Sequence, residues 1–421
     1  MSKPTAEFDI VVWGATGFTG RLVAEYLAKT QDTHRARWAL AGRDLGKLEK
    51  VRQGLTAIAP AFSELPLLVA DARDAASLDA LVPRTRVVCT TVGPYARYGS
   101  ELVAACVRAG VSYCDLTGEV QWMRRMIDAH HEAAQKTGAR IVHTCGFDSI
   151  PSDLGVLMMQ HHMREAHGGH LDGVRLYMGP MRGGASGGTA ASMLQAMEDA
   201  STDRQVRKTM AHPHGLDPVP GPWRPESRDA FGVHYSQEVG QWTGPFFMAS
   251  VNTRVVRRSN ALLGHPWGEG FRYAEVASYG TGPKGLLTAT GVTVGILGGF
   301  VAAAQVKPLR KLLETKVLPA PGEGPSAEAR EKGFFVARLM GEGTSAKTGK
   351  QVRVKGKVAA QGDPGYAATA RMLSESALSL AFDDVPKKGG GVLTPASCMG
   401  MKLVERLRRA GMTFEVETLP A

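Results

Sequence analysis

The sequence predicts an α/β protein: a doubly wound parallel sheet at the amino end, then a second, α+β domain inserted before a carboxy-terminal helix. Three observations predict it. Apolar runs alternate with amphipathic segments over the first 150 residues. A glycine-rich turn follows the first of those runs directly. After Pro151 the rhythm changes to longer alternating stretches separated by Pro- and Gly-rich connections. A length of 421 residues also exceeds what one core usually holds, so two domains are expected.

The first run, FDIVVWG (8–14), is apolar and closed by Gly, as a strand buried on both faces should be. Phe18, Leu22, Val23, Tyr26 and Leu27 then fall on one face of a helix. Further strands are expected at RWALAG (37–42), PLLVA (66–70), RVVCTTV (86–92), VSYCDL (111–116) and RIVHTC (140–145). Helices are expected between them at 44–57, 74–82, 99–109 and 119–137, each a right-handed crossover. In the second half, DGVRLYMG (172–179), FFVARLM (334–340) and QVRVKGKVAA (351–360) alternate as half-buried strands do, the last two as a hairpin. Residues 363–382 read as an amphipathic helix, and Pro395 to Ala410 as another. The expected domains are 1–155, 156–385, and a segment 386–421 whose helix returns to the first domain.

The composition is that of an ordinary soluble protein, 43% hydrophobic and 21% charged, which excludes a disordered chain or a polytopic membrane protein. The net charge of +10 is spread along the chain and aromatic residues are few, so nucleic acid is not an expected partner. Five scattered cysteines with no CxxC pair read as reduced thiols of a cytoplasmic protein. The amino terminus lacks a signal-peptide layout. One segment stands apart: 285–306 carries no charge, and Gly291, Gly295 and Gly299 recur at four-residue spacing. It reads as a buried or dimer-interface helix, as a membrane-surface element, or as a single span.

The glycine turn Gly14-Ala15-Thr16-Gly17-Phe18-Thr19-Gly20 lies between strand and helix, the order a dinucleotide site of the Rossmann type requires. Gly14 allows the tight turn, Gly17 lets the backbone approach a pyrophosphate, and Gly20 lets helix and strand pack closely. The second strand ends at Arg43, where an NAD site usually carries an acid. A guanidinium there pairs with a 2′-phosphate, so NADP(H) is the expected coenzyme. Asp71 closes the third strand near the adenine side; Thr91, Gly93 and Pro94 follow the fourth, on the nicotinamide side.

Reaction chemistry is less sharply marked. None of the nine Tyr has a Lys four residues on, and neither HExxH, GxSxG nor a set of metal ligands is evident, which leaves direct hydride transfer with a modest proton donor. Polar residues gather where the later strands end: Tyr95 and Tyr98, then Asp115, Thr117 and Glu119, then Asp148, Ser149, Ser152 and Asp153. Tyr95, Asp115 and Asp148 are the candidate proton donors, although each such group also suits a helix cap. Arg182, Arg254, Arg257 and Arg258 are candidates for holding an anionic substrate or simply for solvated surface.

The ordered set GATGFTG, LAGR, TTVGPYARYG, CDLTGE, CGFDSIPSDLG, NTRVVRRSNAL, DPGYAATARMLSESAL and GVLTPAS resembles the saccharopine dehydrogenase-like oxidoreductases, and among them the mycobacterial trans-acting enoyl reductases. That resemblance implies an NADP-binding domain and reduction of a carbon–carbon double bond in a polyketide-derived acyl thioester presented by a separate synthase. It leaves open an imine or carbonyl of an amino-acid-derived substrate, and an NADP-binding membrane-surface protein without turnover. A homodimer, at most peripheral to the membrane, is expected.

Overall fold

Strands β1 (Phe8–Trp13), β2 (Trp38–Gly42), β3 (Leu67–Val69), β4 (Thr85–Thr90), β5 (Ser112–Cys114) and β6 (Arg140–Val142) form where the apolar runs lie. The structure is a computed structural model describing residues 6–183, 187–219, 228–305, 324–386 and 389–420. A later strand, β13 (Gly391–Leu393), joins beside β6, giving the order β13-β6-β5-β4-β1-β2-β3, parallel throughout. All six residues of β1 are buried, with Ile10, Val11 and Val12 fully so. Complete burial of each such side chain contributes about 1.5–3 kcal/mol, which makes the central strand the anchor of the glycine turn that follows it.

The second sheet contains β7 (Leu171–Arg182), β8 (His234–Ser236), β9 (Gln241–Pro245), β10 (Arg272–Ser278), β11 (Phe334–Thr344), β12 (Gln351–Gln361) and β14 (Thr413–Thr418). Their order is β14-β12-β11-β7-β10-β9-β8, antiparallel except for β7 and β10. Helix Ile150–His167 leaves the first sheet and packs against β12, β7 and β11, joining the two cores.

The domain boundaries differ from expectation in two respects. Helix Thr369–Phe382, expected in the second domain, packs on β1, β4, β5 and the first helix, Phe18–Lys29, so the chain returns to the parallel sheet well before 386. Its Glu375 accepts a hydrogen bond from the Tyr26 hydroxyl (2.6 Å) and pairs with Arg406, which also pairs with Asp383. The expected helix from Pro395 to Ala410 is two, Pro395–Cys398 and Gly400–Arg409, divided where Gly400 takes φ +60°. Beyond it the chain crosses back: Phe414 is buried, and the alternating TFEVET pairs with β12, with Lys355–Glu417 and Lys357–Glu415 ion pairs along the edge.

The apolar segment is helix Gly282–Gln305. In its described part only Gly285, Ala289 and Thr293 are buried, one stripe set against β9, whereas Leu287 is 74% and Val294 64% exposed. It is therefore not a core helix, and Gly291 and Gly295 face open space. Gly299 lies outside the residues whose surroundings are described. Among the described residues no helix is long and apolar enough to cross a membrane, so the single-span reading is not carried. The five cysteines are buried, and none forms a disulfide.

Candidate active site

The glycine turn has the shape its sequence requires. Gly14 takes φ +83°, and a Cβ there would overlap Val92. A Cβ on Gly20 would overlap the Gly14 carbonyl, so only glycine lets the first helix sit on the turn. Gly17 is the helix N-cap and supplies no side-chain cap, so the first-turn amides of Phe18 and Thr19 have no acceptor within the helix. The other Cβ neighbours of Gly17 are open: only the Gly14 carbonyl lies within reach, at 3.3 Å. These features fit a dinucleotide pyrophosphate: a positive helix end, free amides and a bare backbone. Ala15 is buried beneath the turn and Thr16 and Thr19 are half-buried beside it.

Arg43 follows β2, exposed, with no hydrogen bond or ion pair among the described residues, where it is available to a 2′-phosphate. Asp71 is occupied locally: its carboxylate accepts from the Arg73 amide (2.9 Å). Thr91 donates to the Gly14 carbonyl (3.3 Å), fastening the end of β4 to the glycine turn, and Gly93-Pro94 follows as a cis peptide. Glu119 holds the next residues: its carboxylate accepts from the amides of Tyr95 and Ala96, both at 2.8 Å, and from Ser192 of helix Gly187–Thr202 (2.8 Å).

The three candidate proton donors have different surroundings. The Tyr95 hydroxyl is buried, donates to the Thr90 carbonyl (3.2 Å) and accepts from the Leu116 amide (3.4 Å). Burial pushes its ionisation well up, aided by the Asp115 charge. Asp115 is fully buried and accepts from Tyr113 (2.9 Å), His143 (2.7 Å) and the amides of Thr117 (3.0 Å) and Thr144 (3.2 Å). Both residues bind the ends of β4, β5 and β6 together. Asp148 differs. Among the described residues no side chain donates to it, and burial, with the Asp115 charge adding, raises its carboxyl to about 7 against the pull of its own backbone amide. It stands beside Gly118 and Gly146, with Met248 and Val251 of the second domain forming an apolar wall next to it.

Comparison with known proteins agrees with this geometry. The description "Saccharopine dehydrogenase NADP binding domain" matches residues 10–142. Trans-acting enoyl reductases of Mycobacterium bovis (strain BCG / Pasteur 1173P2) and Mycobacterium ulcerans (strain Agy99) are 41% and 40% identical, over 98% of this chain and 99% of the relative, and over 100% of both, respectively. A Mycobacterium tuberculosis (strain H37Rv) protein provisionally given the same designation is 44% identical over 100% of both chains. The chain belongs to the trans-acting enoyl reductase family. The apo saccharopine dehydrogenase (L-Glu forming) of Saccharomyces cerevisiae shares the fold, with a TM-score of 0.55 at 13% identity over 98% of this chain and 100% of that one. Family and domain together make the protein an NADP-dependent oxidoreductase.

In this trans-acting enoyl reductase family member the arginine run is structural. Arg254, Arg257 and Arg258 are each at most 4% exposed. Arg254 pairs with Asp229; Arg257 donates to the carbonyls of Pro213 (3.2 Å) and Tyr273 (2.9 Å), and Arg258 to those of Leu216 and Val392. They clamp the 210–217 segment and β13. Arg182, at the end of β7, remains exposed. Reading the sequence missed the second-domain contribution to the site. Asn252 accepts from Ser149 (2.9 Å) and donates to Glu275 (2.9 Å), tying the turn that carries Asp148 to β10. Nothing in the local pattern of NTRVVRRSN marks that tie.

Proposed function

We propose that this chain reduces the carbon–carbon double bond of an enoyl thioester in a polyketide-derived acyl chain presented by a separate synthase, with NADPH as reductant. NADPH, when bound at the glycine turn, supplies the hydride for the β-carbon of the enoyl group. Asp148 gives the proton to the α-carbon, so the double bond becomes saturated and the carboxyl is left ionised, to be reprotonated from solvent. One observation carries the reading: a carboxyl raised to about 7, without a side-chain partner among the described residues, beside the apolar wall of Met248 and Val251. Such a wall suits an alkenyl chain better than a charged amino acid.

The synthase and a second copy of this chain are the partners of that reading. The exposed apolar side of helix Gly282–Gln305 supplies surface for such contacts, at the cytoplasmic face of the membrane where lipid-like acyl chains are handled. The test is NADPH oxidation with a panel of thioesters. Turnover with an enoyl thioester and none with an α-keto acid plus amine supports the proposal; the reverse result overturns it.

A further inference from the structure

We infer that Arg330, carried by the second domain, is a ligand of the dinucleotide's pyrophosphate and makes coenzyme binding depend on both domains. The inference rests on the reading that the glycine turn holds NADP(H). Its starting point is Phe18, the first residue of the first helix and the neighbour of Gly17. The Phe18 ring meets Tyr366 edge-on, with centroids 4.8 Å apart. It also lies under Gly324, where a Cβ would overlap the ring. The second domain is thus pressed directly onto the phosphate-binding turn.

The Arg330 guanidinium sits 5.3 Å from the Phe18 ring centroid, and that of Arg21 5.7 Å from it. Two cations therefore flank one ring at the positive end of a helix whose first turn carries no acid. An anion bound at that end gains from both charges as well as from the helix dipole. Arg330 is half-buried and its guanidinium donates to the Pro325 carbonyl (2.7 Å); the Asp363 carboxylate feels its charge but is itself held by the amides of Tyr366 and Ala367, both at 3.1 Å, and makes no ion pair with it. A partly desolvated guanidinium of this kind gains most from an oxyanion that takes its remaining N–H groups. The fork of N–H donors matches two phosphate oxygens, and the Phe18 ring adds a cation–π contact that holds the group beside the first helical turn.

The test is equilibrium binding to the full-length protein at low ionic strength, followed by the fluorescence of NADPH and NADH, with Arg330→Met retaining the apolar stem over Phe18. A pyrophosphate is common to both coenzymes, so the substitution should weaken both by about the same factor, tenfold or more. The thermal midpoint without coenzyme should stay near that of the unaltered protein. Unchanged affinity for both coenzymes overturns the inference, as does a loss confined to NADPH, which assigns the group to the 2′-phosphate. A fall in apo stability with affinity intact shows a packing role and overturns it too. If the unaltered protein binds neither coenzyme, the dinucleotide reading itself fails, a result distinct from the others.

Discussion

Asp115 and Asp148 stand at the carboxyl end of the same sheet, and burial raises the carboxyl of the second, with the charge of the first adding to it. Asp115 accepts hydrogen bonds from Tyr113, His143 and two backbone amides, while Asp148 takes none from a side chain among the described residues. Burial without a side-chain donor among the described residues, more than the neighbouring charge, keeps Asp148 protonated close to neutrality.

Asp148→Asn should separate catalysis from stability. The carboxyl titrates at about 7 in the folded chain against an ordinary 3.8, so the acid is present below about 7 and lost as pH rises through it. Turnover of the unaltered protein should fall over that range. The variant should lose about a hundredfold or more in kcat and lose the alkaline fall as well. Because the folded state holds the proton more tightly, the stability contribution of Asp148 is full below about 3.8 and shrinks as pH rises through about 7. The variant should therefore melt higher than the unaltered protein at pH 8 and show no such gain at acid pH. A lower midpoint at pH 8 would sink the assignment of a buried, uncompensated carboxyl.

Tyr95→Phe is the matching control. The hydroxyl contacts the Thr90 carbonyl and the Leu116 amide, both backbone groups, so its loss should cost about 1 kcal/mol in denaturant unfolding. Turnover should fall by much less than the roughly hundredfold expected for loss of a proton donor. A fall of that full size with stability unchanged would return Tyr95 to the chemistry.

Local pattern was enough for the parallel sheet, because strands buried on both faces leave continuous apolar runs and the turn at Gly14 to Gly20 has a steric logic readable residue by residue. It was not enough for residues 369–382 and 413–418. An amphipathic helix does not say which sheet it covers, and a short alternating strand does not name its partner. The arginines at 254, 257 and 258 misled for a related reason: a run of charge reads as solvated surface or ligand site until the carbonyls that bury it are known. Asp148 was one acid among several, and only its lack of a side-chain donor among the described residues distinguishes it.

Gly20→Ala and Gly17→Ala should fail in different ways. At Gly20 the new methyl meets the Gly14 carbonyl, a backbone atom that cannot swing aside, so the fold itself should lose about 1–3 kcal/mol. At Gly17 the nearest obstacle is the same carbonyl at a tolerable 3.3 Å, so the fold should survive while the methyl stands in the approach of the pyrophosphate. Denaturant unfolding and NADPH titration on both variants check this. Equal NADPH affinity in Gly17→Ala and the unaltered protein would contradict a backbone cradle at that position.

Arg43 sets the choice between coenzymes. It lies beyond β2 with no protein partner among the described residues, on a turn whose Gly42 brings the chain close to Thr16 of the glycine turn. A guanidinium contact to a phosphate contributes about 1.5–3 kcal/mol, so Arg43→Ala should weaken NADPH roughly ten- to hundredfold. NADH lacks the 2′-phosphate and should bind the variant as it binds the unaltered protein. Arg43→Asp should go further, since a carboxylate repels the phosphate yet accepts from the ribose hydroxyls, and the preference should turn toward NADH. Parallel losses for both coenzymes in Arg43→Ala would place the side chain outside the 2′-phosphate site, and the coenzyme preference would then need another cation to explain it.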